Sequence, residues 1–284
     1  MQRTPTSPHV NPATMPPLLY GTAWKEERTS SLVELALDVG FRGIDTACQP
    51  KHYDEAGVGA GVAACLARGL SRDSIYLQSK FTPLSGHDPE RVPYARDADL
   101  ATQIKQSCQR SLENLRTNTL DCLLLHSPLK TLEQTLEAWS VLEELVNSGA
   151  VASIGISNCY SVELFRALCE RSNVKPRVLQ NRFYAKTGYD VELRKLCGAH
   201  RVHYQSFWTL TANPHVLKAR RVREIAERHG ATVEQVFFRS LMHVGIVPLT
   251  GTSSRIHMQQ DLDAIALELE PPELKAIFAE LGLP

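Results

Sequence analysis

The sequence predicts one (β/α)8 barrel. Three observations carry that expectation: eight short apolar runs, amphipathic stretches of helix length between them, and caps or breakers at the junctions. The runs lie at 18–21, 41–45, 75–80, 120–126, 151–157, 177–181, 202–206 and 245–249. They are continuous rather than alternating, the form of parallel strands covered on both faces. A length of 284 residues allows two domains, but single α/β barrels commonly reach about 250 residues, and the unbroken alternation favours one.

In chain order, residues 1–17 hold five prolines and form an expected flexible arm leading into the first strand, with a transit peptide as the alternative. Residues 18–284 form the expected barrel domain. Ile104, Cys108, Leu112 and Leu115 place an apolar stripe along one helix; Leu132, Leu136, Trp139, Leu142 and Leu145 do so along the next. Thr131 with Gln134 and Thr232 with Gln235 have capping-box spacing, and Gly40, Gly69, Gly149, Gly230 and Gly245 stand where helices yield to strands. A C-terminal helix is expected over 271–281. A doubly wound open sheet shares the alternation, and Gly57, Gly59 and Gly61 resemble half of a dinucleotide fingerprint. That fingerprint needs a strand directly before it, whereas Tyr53, Asp54 and Glu55 precede these glycines at a helix start. They read as close helix packing.

Composition narrows the function. Lys plus Arg and Asp plus Glu number 31 each, which gives no reason to expect nucleic acid or an anionic membrane as partner. The basic residues Lys218, Arg220, Arg221 and Arg223 are offset by Glu224 and Glu227, as on a solvated helix face. No run approaches the roughly 18 apolar residues of a membrane helix. Seven scattered cysteines read as reduced core thiols, so the expected location is cytoplasmic. His200 and His203 lack convergent ligands, so no metal is expected.

Asp45, Tyr53, Lys80 and His126 fall at or just beyond the ends of strand-like runs. In a parallel barrel the loops at that end carry function. An acid, a phenol, an amine and an imidazole gathered there suit proton transfer. A phenol near pKa 10 is a weak acid at neutral pH, and a neighbouring cation lowers that value.

The segments Gly43-Ile-Asp-Thr-Ala47, Lys51-His-Tyr-Asp-Glu55, Gln78-Ser-Lys80, Leu123-Leu-Leu-His-Ser-Pro128, Gly155-Ile-Ser-Asn158 and Leu179-Gln-Asn181 together resemble the aldo-keto reductase family, in the family's order. The resemblance implies reduction of aldehydes or ketones by hydride from a nicotinamide nucleotide, with Tyr53 as proton donor. Lys80 and Asp45 support that donor, and His126 orients the carbonyl. One departure stands out: Pro50 occupies the family's usual tyrosine place and Tyr53 comes three residues later, which reads as a loop insertion.

For the cofactor, the resemblance assigns Ser157, Asn158 and Gln180 to the carboxamide, Ser206 to the pyrophosphate, and Thr250, Arg255 and Gln259 to the adenosine 2′-phosphate. Leu249 replaces a common phosphate-binding lysine, yet Arg255 can grip a phosphate, so NADPH is expected with NADH possible. Gln205 stands where an aromatic usually stacks on nicotinamide, and Phe207 is the substitute considered. Trp24 is expected at the substrate pocket, together with the loop from Phe81 to Arg96. The short tail suggests an open, permissive pocket. The expected partner is a small-molecule carbonyl, with the protein a monomer or weak homo-oligomer. The second reading is a nucleotide-binding barrel acting as a regulatory subunit.

Overall fold

The computed structural model describes residues 14–283. Eight parallel strands close on themselves in sequence order: β1 (Leu19–Gly21), β2 (Gly43–Asp45), β3 (Tyr76–Phe81), β4 (Cys122–Leu125), β5 (Ile154–Ser157), β6 (Val178–Arg182), β7 (His203–Phe207) and β8 (Ile246–Thr250). Closure is made where Leu19 pairs with Leu249 and Tyr20 with Thr250. The helices surround the strands: α1 (Thr29–Val39), α2 (Glu55–Ala67), α3 (Leu100–Leu115), α4 (Leu132–Asn147), α5 (Val162–Arg171) and α6 (Val191–His200) follow β1 to β6. Then α7 (Pro214–Lys218), α8 (Arg220–His229) and α9 (Val233–His243) precede β8, and α10 (Arg255–Asp263) and α11 (Pro271–Glu280) follow it.

Every expected strand is present, most of them trimmed at the start. The capping signals hold to different degrees. Thr232 and Gln235 form the full reciprocal box at α9, whereas Thr131 caps α4 by accepting from the Gln134 amide alone. The glycines of α2 work as helix packing. A Cβ on Gly59 would lie 2.0 Å from Asn114 O of α3, and one on Gly61 2.6 Å from Ser30 O of α1.

Strand alternation sorts the core into two layers. Tyr20, Ile44, Leu77, Leu123, Ile156 and Leu179 point outward into the main apolar core beneath the helices. Leu19, Tyr76, Cys122, Leu124, Val178 and Val247 point inward and fill the barrel floor. Met15, which the sequence places in the arm, packs against this floor; residues 1–13 of the expected arm lie outside the described residues. One layer above the floor, the inward positions turn polar: Asp45, Gln78, Lys80, Gln180 and Gln205, each buried. All seven cysteines are buried and unbridged. Among the described residues no helix is long and apolar enough to cross a membrane.

Candidate active site

The polar layer is a closed hydrogen-bond lattice. Asp45 Oδ1 accepts from Gln78 Nε2 at 2.6 Å and from Gln180 Nε2 at 2.9 Å, while Asp45 Oδ2 accepts from Lys80 Nζ at 2.6 Å. Gln205 Oε1 accepts from both Gln78 and Gln180, at 2.8 and 2.9 Å, and Gln205 Nε2 returns a bond to Gln78 Oε1 at 3.0 Å. Lys80 also donates to Thr46 O at 2.8 Å. Every bond here is buried, so removing one partner strands another. Burial works against the Lys80 ammonium, but Asp45 beside it, with Tyr53, more than offsets that and holds the group above the ordinary lysine value.

Tyr53 reaches this lattice through the extra residues of its loop. His52 N and Tyr53 N both donate to Gln49 O, at 3.2 and 3.1 Å, so residues 49–53 coil into one tight turn instead of lengthening the loop. The result sets Lys80 Nζ 5.3 Å from the centre of the Tyr53 ring. His126 lies edge-on to the same ring at 6.1 Å between centroids. Burial raises the Tyr53 phenol above its usual value, and Lys80 opposes that rise. The sequence expectation counted only the cation; desolvation is the larger effect here.

His126 is held well below the ordinary imidazole pKa, first by burial and then by the Lys80 charge, so its ring is neutral. Its Nδ1 meets Thr82 Oγ1 at 2.6 Å. Thr82 O accepts from Tyr94 Oη at 2.8 Å and sits 3.0 Å from His87 Nε2, which fixes the threonine from the loop side. With the Thr82 hydroxyl as donor to Nδ1, the neutral ring carries its proton on Nε2, facing away from the threonine.

These groups border a cleft of about 1030 Å³. Its lining includes Tyr53, His126, Ser157, Asn158 and Gln180 and, from the end of β8 and the segment after it, Thr250, Thr252, His257, Gln260 and Asp261. Three bulky or polar lining residues adopt left-handed backbone: Trp24 (φ 60°), Asn158 (φ 52°) and Trp208 (φ 56°). Such a conformation is unfavourable for a bulky tryptophan, though asparagine adopts it readily, and strained backbone of this kind gathers at functional sites. Asn158 Nδ2 donates to His126 O at 2.9 Å, tying the β4 and β5 ends together. A second cavity of about 820 Å³ lies across Trp24, His52 and Tyr53, which border both spaces. Arg91, Val92 and Pro93 of the 81–96 loop wall it. The Trp24 and His52 rings lie 4.0 Å apart, and Trp24 N donates to His52 O at 2.8 Å, so the inserted turn also fixes the exposed tryptophan.

The expected cofactor residues divide. Ser157, Asn158, Gln180 and Thr250 border the cleft. Ser206 does not: alternation turns it outward, where its hydroxyl lies 2.9 Å from Thr209 Oγ1. Arg255 and Gln259 are exposed on α10 outside the cleft wall, and Gln259 Nε2 donates to Asp263 at 2.9 Å. Gln205 belongs to the interior lattice, while Phe207 borders the cleft. Sequence reasoning passed over Lys25, Thr82, Arg182, Trp208 and Asp261. Lys25 crosses the cleft mouth, its Nζ donating to Gly251 O. Asp261 accepts from Thr250 Oγ1 at 2.7 Å, and burial raises its pKa to about 6. Among the described residues no three His, Cys, Asp or Glu side chains converge as a metal site requires.

A sequence profile of the Aldo/keto reductase family matches residues 18–202. The chain belongs to the aldo-keto reductase family. It is therefore an NAD(P)H-dependent oxidoreductase of the carbonyl-reducing kind. It is 30% identical over 274 residues to an aldo-keto reductase of Mycolicibacterium paratuberculosis, covering 96% of this chain and 88% of that protein. It is 28% identical over 253 residues to the glyoxal reductase of Bacillus subtilis, covering 89% and 83%. The crystal structure of an aldo-keto reductase from a Medee basin deep-sea metagenome superposes with a TM-score of 0.80 at 22% identity, over 94% of this chain and 91% of that one, and so shares the barrel fold.

Proposed function

We propose that this aldo-keto reductase reduces small aldehydes or ketones to alcohols, with Tyr53 as proton donor and NADPH preferred over NADH. The observation that carries the reading is the cluster of Tyr53, Lys80, Asp45 and His126 at one end of the cleft, with Lys80 5.3 Å from the phenol ring centre. A nicotinamide nucleotide suits the cleft's volume and chemistry, with the amides of Gln180 and Asn158 beside the reacting groups and Thr250, Thr252 and His257 as further polar lining. When bound it supplies hydride.

The chain's own groups then act in concert. His126 offers Nε2–H to the carbonyl oxygen and polarises it. Tyr53 gives its proton to that oxygen as negative charge develops there. The Lys80 ammonium stabilises the phenolate left behind, and Asp45 keeps that ammonium charged. Burial keeps the phenol protonated until the transfer. Support for the phosphate end is thinner than the sequence implied, because Arg255 lies outside the cleft wall. Lys25 and the N-terminal amides of α10 remain as partners for an anion there.

The displacement of Tyr53 from the family's usual place is the feature that favours a regulatory, non-catalytic barrel. The turn at 49–53 sets Tyr53 beside Lys80, which supports the catalytic reading. The test is loss of nicotinamide absorbance with a reactive aromatic aldehyde, run with each cofactor. Turnover is expected with both and greater efficiency with NADPH. Tight binding without turnover points to the regulatory reading, and equal dissociation constants for the two cofactors remove the NADPH preference.

A further inference from the structure

An arginine with no counterion among the described residues borders the cleft. Arg182 ends β6, and the inward alternation through Val178 and Gln180 places it one layer above Gln180, about 6.6 Å along the strand. Its guanidinium carbon lies 3.9 Å from the centre of the Trp208 ring, with the rings of Tyr184 and Phe207 at 5.4 and 5.9 Å. Arg182 Nε is buried and meets no acceptor, and among the described residues no carboxylate forms an ion pair with the guanidinium. The main-chain Arg182 N, by contrast, is engaged, donating to Tyr160 Oη at 3.1 Å.

A guanidinium stacked on an indole uses its face, which leaves the N–H edge free for a planar oxyanion. A buried donor without an acceptor is unfavourable, and Arg182 Nε is one, so the guanidinium gains from an arriving acceptor. Trp208 keeps left-handed backbone with its ring half exposed, and its place beneath the guanidinium gives that conformation a use.

Position decides which anion. Gln180, one layer below, bonds Asp45 at 2.9 Å, and Asp45 bonds Lys80. Arg182 therefore stands one layer above the residue that bonds Asp45, and it borders the same cleft as Tyr53 and His126. We propose that Arg182, stacked on Trp208, binds the carboxylate of a substrate whose carbonyl lies between Tyr53 and His126, which directs the enzyme to aldehyde acids and oxo acids. The inference rests on the carbonyl-reductase reading. Pyrophosphate of the cofactor offers the same oxyanion chemistry and is distinguished by the test.

That test compares Arg182→Met with the wild-type protein on 4-carboxybenzaldehyde and 4-nitrobenzaldehyde, which differ only at the ring position remote from the aldehyde. The ratio of kcat/KM for the carboxylate over the nitro compound is expected to fall about ten- to a hundredfold, with Arg182→Lys in between because it keeps charge without the fork. An unchanged ratio overturns the proposal. So does an unchanged ratio with a raised Kd for NADPH, which assigns the guanidinium to the cofactor's phosphates. Tryptophan fluorescence titrated with 4-carboxybenzaldehyde separates the site from the reaction. Tighter binding by wild type than by Arg182→Met, without turnover of either aldehyde, keeps the anion site and sinks carbonyl reduction; equal binding sinks the anion site.

Discussion

Replacing Asp45 by Asn keeps the side chain's shape but withdraws the anion from Lys80, whose Nζ lies 2.6 Å from Asp45 Oδ2 with only 1% of the lysine side chain exposed. At an effective dielectric constant of about 20 that contact amounts to about 6 kcal/mol before the desolvation of both ions is subtracted. Removing one partner of a buried pair typically costs about 3–5 kcal/mol, and Thr46 O is then the acceptor left to the ammonium. The melting temperature should fall by about 10 °C on that scale. Lys80 also loses the group that raises its pKa, while burial continues to lower it, so the lysine sheds its proton more readily. Carbonyl reduction should fall about a hundredfold or more at neutral pH and recover as the pH is lowered and the ammonium re-forms. Thermal unfolding and pH-dependent turnover are the assays. The double variant Asp45→Asn/Lys80→Met should regain stability without regaining activity, because both charges are gone. A single variant with wild-type turnover and an unshifted pH profile would refute the reasoning.

Three further outcomes follow from particular contacts. Thr82→Val removes the hydroxyl from His126 Nδ1, so turnover should drop about tenfold while Thr82→Ser retains it; a valine variant with unchanged kcat and KM denies the threonine any influence on the imidazole. Asp261, with its pKa raised to about 6, is neutral below that pH and a carboxylate above it. Charging it beside Thr250 should weaken NADPH binding as the pH rises through 6, and Asp261→Asn should tighten NADPH about three- to tenfold relative to NADH while flattening that dependence, as read by fluorescence titration. Gly59→Ala puts a methyl 2.0 Å from Asn114 O and 2.8 Å from the Leu115 Cα, so α2 and α3 must separate; urea unfolding should show a loss of about 1–3 kcal/mol, and an unchanged midpoint would mean that the helices yield freely.

The barrel is legible in the sequence because parallel strands buried on both faces leave uninterrupted apolar runs, and the helices between them carry plain stripes. Strand starts are less legible. Leu120 and Val151 satisfy the apolar pattern yet meet only as a lone bridge outside β4 and β5. At the site, Asp45, Lys80, Ser157 and Gln180 share the inward phase of their strands, which counting by twos recovers. The same counting places Ser206 outward and Gln205 inward. Arg182 falls on the inward phase too, but a charge at a strand end reads as a solvated rim until its neighbours are known. Thr82, Lys25 and Asp261 acquire their roles from partners 44, 226 and 11 positions away along the chain, and local patterns cannot show those.

The central claim, that Tyr53 is the proton donor carried into place by its inserted turn, is tested most directly by Tyr53→Phe. Turnover of a reactive aromatic aldehyde is measured alongside the dissociation constant for NADPH. The account predicts unchanged NADPH affinity and a fall in turnover of about 10² to 10⁴. A Tyr53→Phe protein that reduced the aldehyde at the wild-type rate would contradict it.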